Sequence, residues 1–477
     1  MYDFILWLNL LVWLGFCALF ASRPNASLFH PGAFYLAFHG FVFTIRPIIA
    51  WYRGYDRLYE IFGFTPSIEV KTTVIAASML GKIAFMTATM ASARSPMAFK
   101  SGPEHAVQER LLDKPFLLAV AILGPIGLYS VYYFSTEVLG SPGWGMARDA
   151  ASGIAYNTRH NGYVLSAQFL LVPLCAVFAW RMRFVWWSLI PSVLFIVQRA
   201  GSGIRGPFIA LCIALLLLWL WQNRRRWPSA VTLPAAAIVL VLFVQVGEYR
   251  GTLVRSILEP DRIELTGSGY DMRMLEGMHT ANMEFFEYLV LTVPEKSGTY
   301  GYFVENLQVF TEPVPRVLWK DKPKGAPIPM FDWGKLGRPV GMTSSLPGEG
   351  WTQLGWLGVI IWCGLAGLVM GRAYEWFVRS RQSVFAVLAY IMFLPQCVLF
   401  FRDGLLLSPL RDGIFYLFPI GLMWVLYRAM DFPPLRHLAR LVNGDLAAPS
   451  AASAIPNELA GMTPSQRRRK LASRLDG

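Results

Sequence analysis

The sequence predicts an all-α, polytopic integral membrane protein with about 11 transmembrane helices and one long loop on the outer face. Three observations carry that prediction. Of the 477 residues, 55% are hydrophobic and only 15% are charged, whereas soluble domains carry about 25% charged residues. The apolar residues, including 17 tryptophans and 33 phenylalanines, fall in long runs and not in the short alternating segments of a membrane barrel. Lys and Arg are concentrated in alternate short loops, as they are where a chain crosses a bilayer repeatedly.

Candidate spans lie at roughly 4–22, 33–51, 71–92, 116–135, 163–180, 184–198, 206–222, 230–247, 351–371, 382–401 and 413–429. The first run lacks a basic flank and a small-residue cleavage site, so it reads as a retained helix. "NRRRW" (Arg224 to Arg226), the loop with Arg94, Lys100, Arg110 and Lys114, and the loop with Arg372, Arg379 and Arg381 mark the cytoplasmic side. The N-terminus is then outside and the C-terminus cytoplasmic. The chain divides into an N-terminal bundle of about eight spans (1–247), a long outer loop (248–350), about three C-terminal spans (351–430) and a basic cytoplasmic tail (431–477). Cys17, Cys175, Cys212, Cys363 and Cys397 all sit in apolar runs, as small packing residues without disulfide or zinc spacing. The net charge of +13 points to lipid headgroups and an anionic ligand, since no soluble basic domain exists to hold nucleic acid.

A loop as long as 248–350 inside a compact protein is usually functional. Within it Met274, Met278, Ala281, Phe285 and Leu289 share one helical face. That helix either lies on the membrane, covers a cavity or packs on the bundle. Further on, six cations (Arg316, Lys320, Lys322, Lys324, Lys335, Arg338) meet only Asp321 and Asp332. Prolines in the same stretch hold the backbone extended or turned, which suits a phosphate-bearing ligand or, more simply, a headgroup.

"QRAGSGIRGP" (Gln198 to Pro207) opens a span with Pro207 in the first turn, so helix N–H groups face outward. Arg205 at that end calls for an anion, either Glu248 or a bound pyrophosphate. "TSSLPGEGWTQLGWLG" (Thr343 to Gly358) places Glu349 in a first helical turn beside Trp351, as a capping group or a general base. Gly355, Gly358, Gly364, Gly367 and Gly371 then permit close helix packing. Arg402, Asp403, Arg411 and Asp412 form a loop of paired charges. Lys82 lies mid-span, at about 2.5–3.5 kcal/mol unless partnered, and is expected to face a polar cavity; Arg46 is the other intramembrane charge. His279 is isolated and shows no metal-ligand spacing.

"PVPRVLWKDKPKG" followed by "TSSLPGEGWTQLGWLGVIIWCGLAG" resembles the Wzy-type polymerases of lipid-linked oligosaccharide repeat units. The matching residues are Val314, Pro315, Arg316, Leu318, Trp319, Lys322 and Pro323, then Gly348, Glu349 and Trp351. "GSGIRGP" resembles the Arg-Gly element of the same group, and the O-antigen ligases are more distant relatives of it. The resemblance implies a fold similar to GT-C-like polymerases and ligases, in the bacterial inner membrane. It implies glycosyl transfer between undecaprenyl-diphosphate-linked oligosaccharides without a metal or other cofactor, with a chain-length regulator and a flippase as partners. Arg205, Arg250, Arg316 and Lys322 would hold the diphosphate, with Arg199, Lys320, Arg402 and Arg411 as secondary candidates. Glu349 would be the base, with His279 as the alternative. A ligase, a lipid-linked sugar flippase or exporter, and a scaffold of an export complex are the competing expectations.

Overall fold

A computed structural model of the chain describes residues 1–99, 103–138, 146–148, 155–157, 162–202, 206–229, 276, 281–310, 314, 318–319, 343–433 and 466. Eight of its helices are long and apolar enough to cross a membrane: Tyr2–Ala21, Pro31–Arg53, Ile68–Ser92, Asp113–Thr136, Gly162–Arg181, Ser345–Ser380, Val384–Asp403 and Pro409–Ala429. The apolar helices Ile190–Ser202 and Gly206–Gln222 are shorter. The expected run at 230–247 and the tail after residue 433, apart from Gln466, lie outside the described residues. The expected eleven spans thus become eight and two short helices among those described. The architecture is helical, as expected, with one short strand pair beside the helices: β1 (Met146–Arg148) pairs antiparallel with β2 (Ala155–Asn157), Met146 opposite Asn157.

The elements that position the site are α1 (Tyr2–Ala21), α2 (Pro31–Gly40), α3 (Arg46–Arg53), α4 (Arg57–Phe62) and α5 (Ile68–Ser92), followed by α6 (Pro103–Leu111) and α7 (Asp113–Tyr133). Then come α8 (Leu171–Arg181), α9 (Ile190–Ser202), α10 (Gly206–Gln222) and α11 (Asn282–Thr292), and last α12 (Ser345–Ser380), α13 (Val384–Asp403) and α14 (Leu407–Ala429). The helix pair α5 and α12 forms the centre. Gly367 and Gly371 of α12 abut the backbone and side chains of Phe85, Thr89 and Ser92, and Thr89 Oγ1 donates to Gly367 O at 3.1 Å. Gly364, grouped with them by sequence, faces open space and plays no part in this packing.

α2 and α3 form one span joined by a π-helical turn at Phe41–Ile45. Pro47 explains its unusual wiring. With no N–H, Pro47 cannot donate to the turn before it, so a carbonyl there is left over. Asn9 of α1 supplies the donor, its Nδ2 lying 2.6 Å from Phe43 O. Asn9 in turn accepts from Lys82 Nζ through Oδ1 at 2.6 Å and through its own carbonyl at 3.0 Å. Lys82 is fully buried, so the expected polar cavity is replaced by direct contact with one asparagine.

The helix ends separate into two groups. At one end Arg23 donates to Met90 O, Arg226 to Met97 O, and Arg181 pairs with Asp113 and Glu109. Ser95 bonds Glu375, and Gln108 accepts from Val384 N. This is the basic end, with Arg94, Arg110 and Arg381 on the same connections. The other end gathers the start of α11, the start of α12, and the turn between α13 and α14.

Candidate functional site at the Glu349 end

The local sequence around Glu349 makes a helical hairpin, not a straight span. α12 starts at Ser345, with Pro347 in its first turn, and breaks at Leu354 (φ −156°, ψ 29°) and Gly355 (φ 59°, ψ −136°). The left-handed φ at 355 is one that glycine adopts without strain. The break folds the short first part back on the rest, so closely that a Cβ on Gly350 would lie 2.8 Å from Val359 Cα. Its last carbonyls are satisfied from the long loop: Gly301 N donates to Thr352 O at 2.9 Å and Tyr302 N to Gln353 O at 3.2 Å. Capping orphan carbonyls in this way fixes the loop to the helix end.

Glu349 therefore sits in the second turn, not the first, and its environment is built from side chains. The residue is 4% exposed. Its Oε1 accepts from Asn306 Nδ2 at 2.9 Å and from Gln353 Nε2 at 2.7 Å, and its Oε2 lies 3.4 Å from Ser344 Oγ. Each partner is doubly engaged. Gln353 Oε1 accepts from Phe303 N at 2.5 Å, Asn306 Oδ1 from Leu406 N at 3.0 Å, and Ser344 Oγ donates to Asp403 O at 2.8 Å. Asn282, the first residue of α11, donates to Thr343 O, Thr343 Oγ1 and Arg402 O at 3.0, 2.8 and 3.0 Å. Gly404 closes the cluster: its φ is 77°, Trp362 Nε1 donates to its carbonyl, and a Cβ there would lie 2.6 Å from Glu349 Cβ.

A second polar cluster lies beside the first on α11. Arg46 Nη1 sits between both oxygens of Glu284, at 2.7 and 2.8 Å, with side-chain exposures of 0% and 2%. One turn on, Glu287 Oε2 accepts from Tyr59 OH at 2.6 Å, and the Lys71 ammonium lies 4.7 Å from the Tyr59 ring centre. Glu276 accepts from Arg57 N at 2.9 Å and caps α4. α11 is buried nearly all round. For Asn282–Thr292 packing on the bundle is the placement observed, while Met274 and Met278 of the expected face lie outside the described residues.

Of the residues singled out by sequence, Glu349, Arg199, Arg402 and Arg411 are described, while His279, Arg205, Arg250, Arg316, Lys320 and Lys322 lie outside the described residues. Arg402 and Arg411 pair with their neighbours Asp403 (3.8 Å) and Asp412 (3.2 Å), as the alternating charges suggested. Arg199 is fully buried at the end of α9, bonded to Gln168 and lying 5.1 Å from the Phe134 ring centre. Asn282, Asn306, Ser344 and Gln353 carry the cluster without having been singled out. Only Gln353, four residues after Glu349 on the same helical face, left a signal. Among the described residues no group of three or more His, Cys, Asp or Glu side chains could hold a metal ion. The cysteines there are free thiols.

The fold and this cluster define a polytopic helical membrane protein with a buried carboxylate, bonded by two side-chain amides, at one end of its bundle. No protein-family model, no curated protein and no solved structure matches the chain.

Proposed function

We propose that the chain is a Wzy-type glycosyltransferase that polymerises undecaprenyl-diphosphate-linked oligosaccharide repeat units at the outer face of a bacterial inner membrane. One observation supports this reading above the others. The described segments on either side of the cationic stretch meet at the same carboxylate: Asn306, before it, donates to Glu349, and the Ser344 hydroxyl, after it, lies 3.4 Å from Glu349. A segment with six cations and only two acids therefore joins two described residues that lie beside one carboxylate. The basic end of the bundle would face the cytoplasm, which puts Glu349 on the outer side.

The diphosphate is a good leaving group once its developing charge is stabilised. Arg316 and Lys322, with Arg205 and Arg250, would clamp it, and guanidinium forks suit such oxygens. Glu349 would accept the proton of the attacking sugar hydroxyl, with His279 as the alternative base. The Asn306 and Gln353 amides would orient the carboxylate for that transfer. The flippase reading gains no support from Lys82, because Asn9 satisfies it locally.

The test is a reconstitution. Purified protein in nanodiscs is given lipid-linked repeat units, with and without EDTA, and products are resolved on gels. A ladder that survives EDTA and is lost in Arg316→Lys at unchanged protein level supports the reading. Intact lipid-linked units under all conditions overturn it in favour of a transporter or scaffold.

A further inference from the structure

We propose that Glu287 is a proton-binding site, and that its proton keeps α11 seated between Arg46 and the Glu349 cluster. Among the described residues, only one of the two acids has a cation in direct contact. Glu284 occupies Arg46 through both oxygens. Glu287, one turn on, is left with a neutral phenol as donor: Tyr59 OH at 2.6 Å on Oε2. Its other oxygen is buried and meets no donor among the described residues. Glu287 itself is 0% exposed.

The described elements packed on this part of α11 bring these charged and titratable groups. α3 gives Arg46, already engaged; α4 gives Tyr59; α5 gives Lys71, half-buried and over the Tyr59 ring. α1 gives Tyr2, which lies in the field of both carboxylates. α12 meets α11 through Gly348, packed on Phe286 and Leu289, and through Trp351, edge-on to Phe286, neither of them charged. Burial first, then the adjacent Glu284 carboxylate, push the Glu287 carboxyl up from 4.5 to about 8. At neutral pH Glu284 keeps its ion pair with Arg46, and Glu287 stands beside it as a neutral acid, with Lys71 beyond the Tyr59 ring.

The consequence is directional. A carboxyl raised in the docked state binds more protons there than when exposed, so docking weakens as pH rises from about 4.5 and levels off above about 8. Within that window the docking constant falls by up to about tenfold per pH unit. α11 begins at Asn282, the donor to Thr343 and Arg402, so loss of the proton loosens the far end of the cationic stretch as well.

Two measurements on the full-length protein in nanodiscs test this, and neither depends on the proposed activity. Infrared difference spectra between about pH 6 and about pH 9.5 should show a protonated carboxyl band that is half lost near pH 8 and absent in Glu287→Gln. Amide exchange over residues 282–292, corrected for its intrinsic pH dependence, should quicken by up to about tenfold per pH unit below 8 in the native chain and stay flat in Glu287→Gln. An identical carboxyl spectrum in the two proteins, or a band already lost by about pH 6, would overturn the proposal. So would the same exchange profile in both. If Glu287→Gln fails to fold, the native carboxyl band alone decides.

Discussion

Replacing Arg46 with Met tests whether α11 is held by its ion pair. The substitution removes the cation at 2.7 Å from Glu284 and leaves that carboxylate unpaired in a site where the partners are 0% and 2% exposed. Solvent screening is absent at that burial, so the cost follows the buried case, about 3–5 kcal/mol for removing one partner of a buried pair. Met approximates the Arg stem, which limits the loss from packing. The reporter is amide exchange over Asn282–Thr292. If α11 opens locally, a loss of about 3–5 kcal/mol raises its exchange rates by roughly 10²- to 10³-fold or more, at about 1.4 kcal/mol per tenfold. Arg46→Met combined with Glu284→Met should recover most of the loss, because no unpaired charge remains from the pair. A single variant within about tenfold of the native rates, or a double variant worse than the single one, would refute the reasoning.

Further substitutions probe the same construction. Gly404→Ala puts a Cβ 2.6 Å from that of Glu349 at a φ of 77°, and should lower thermal stability by at least about 1 kcal/mol while slowing any turnover. Gln353→Leu strands Phe303 N and removes one donor from Glu349; about 2–5 kcal/mol of local stability should go, read as faster exchange at residues 301–306. Asn9→Leu takes the side-chain acceptor from the buried Lys82 amine and leaves it only the residue 9 carbonyl, so membrane-integrated protein should fall and recover in Asn9→Leu with Lys82→Met. Glu349→Gln should abolish the polymer ladder with little change in protein level if the carboxylate takes a proton, whereas a ladder of normal length would remove it from the chemistry.

The membrane class and most of the spans were legible because apolar length is a one-dimensional signal. The same signal failed where backbone conformation changes inside an apolar run. "TQLGWLG" reads as continuous helix, yet Leu354 and Gly355 leave helical geometry, and this moved Glu349 from a helix entry into a hairpin interior. Periodicity located α11 but could not show that it is buried on all sides, since Glu284 and Glu287 look like an exposed face until their partners are known. Arg46 was visible as a misplaced charge, but Glu284 lies 238 positions away and is one of 14 acids in the loop. Amides left the weakest trace of all. Asn and Gln are ordinary in loops, and only their convergence on Glu349 gives Asn306 and Gln353 meaning.

The two buried polar systems answer to different demands. Lys82, Asn9 and Phe43 O form a repair: Pro47 opens a carbonyl, Asn9 fills it, and the asparagine's remaining acceptors take the lysine. Removing the proline would remove the need. The Glu349 cluster repairs nothing within its own helix, because its donors come from the loop at Asn306, the helix entry at Ser344 and the next turn at Gln353. Nothing in the local chain requires an acid at that point. A carboxylate there ties separate segments together, since each amide that bonds Glu349 also bonds a second segment and the Ser344 hydroxyl beside it bonds Asp403 O. α11 joins this arrangement through Asn282 and the Arg46 pair through Glu284, two residues apart. Any change that unseats α11 therefore releases Thr343 and Arg402 together, and reaches the cationic stretch without touching a single one of its charges.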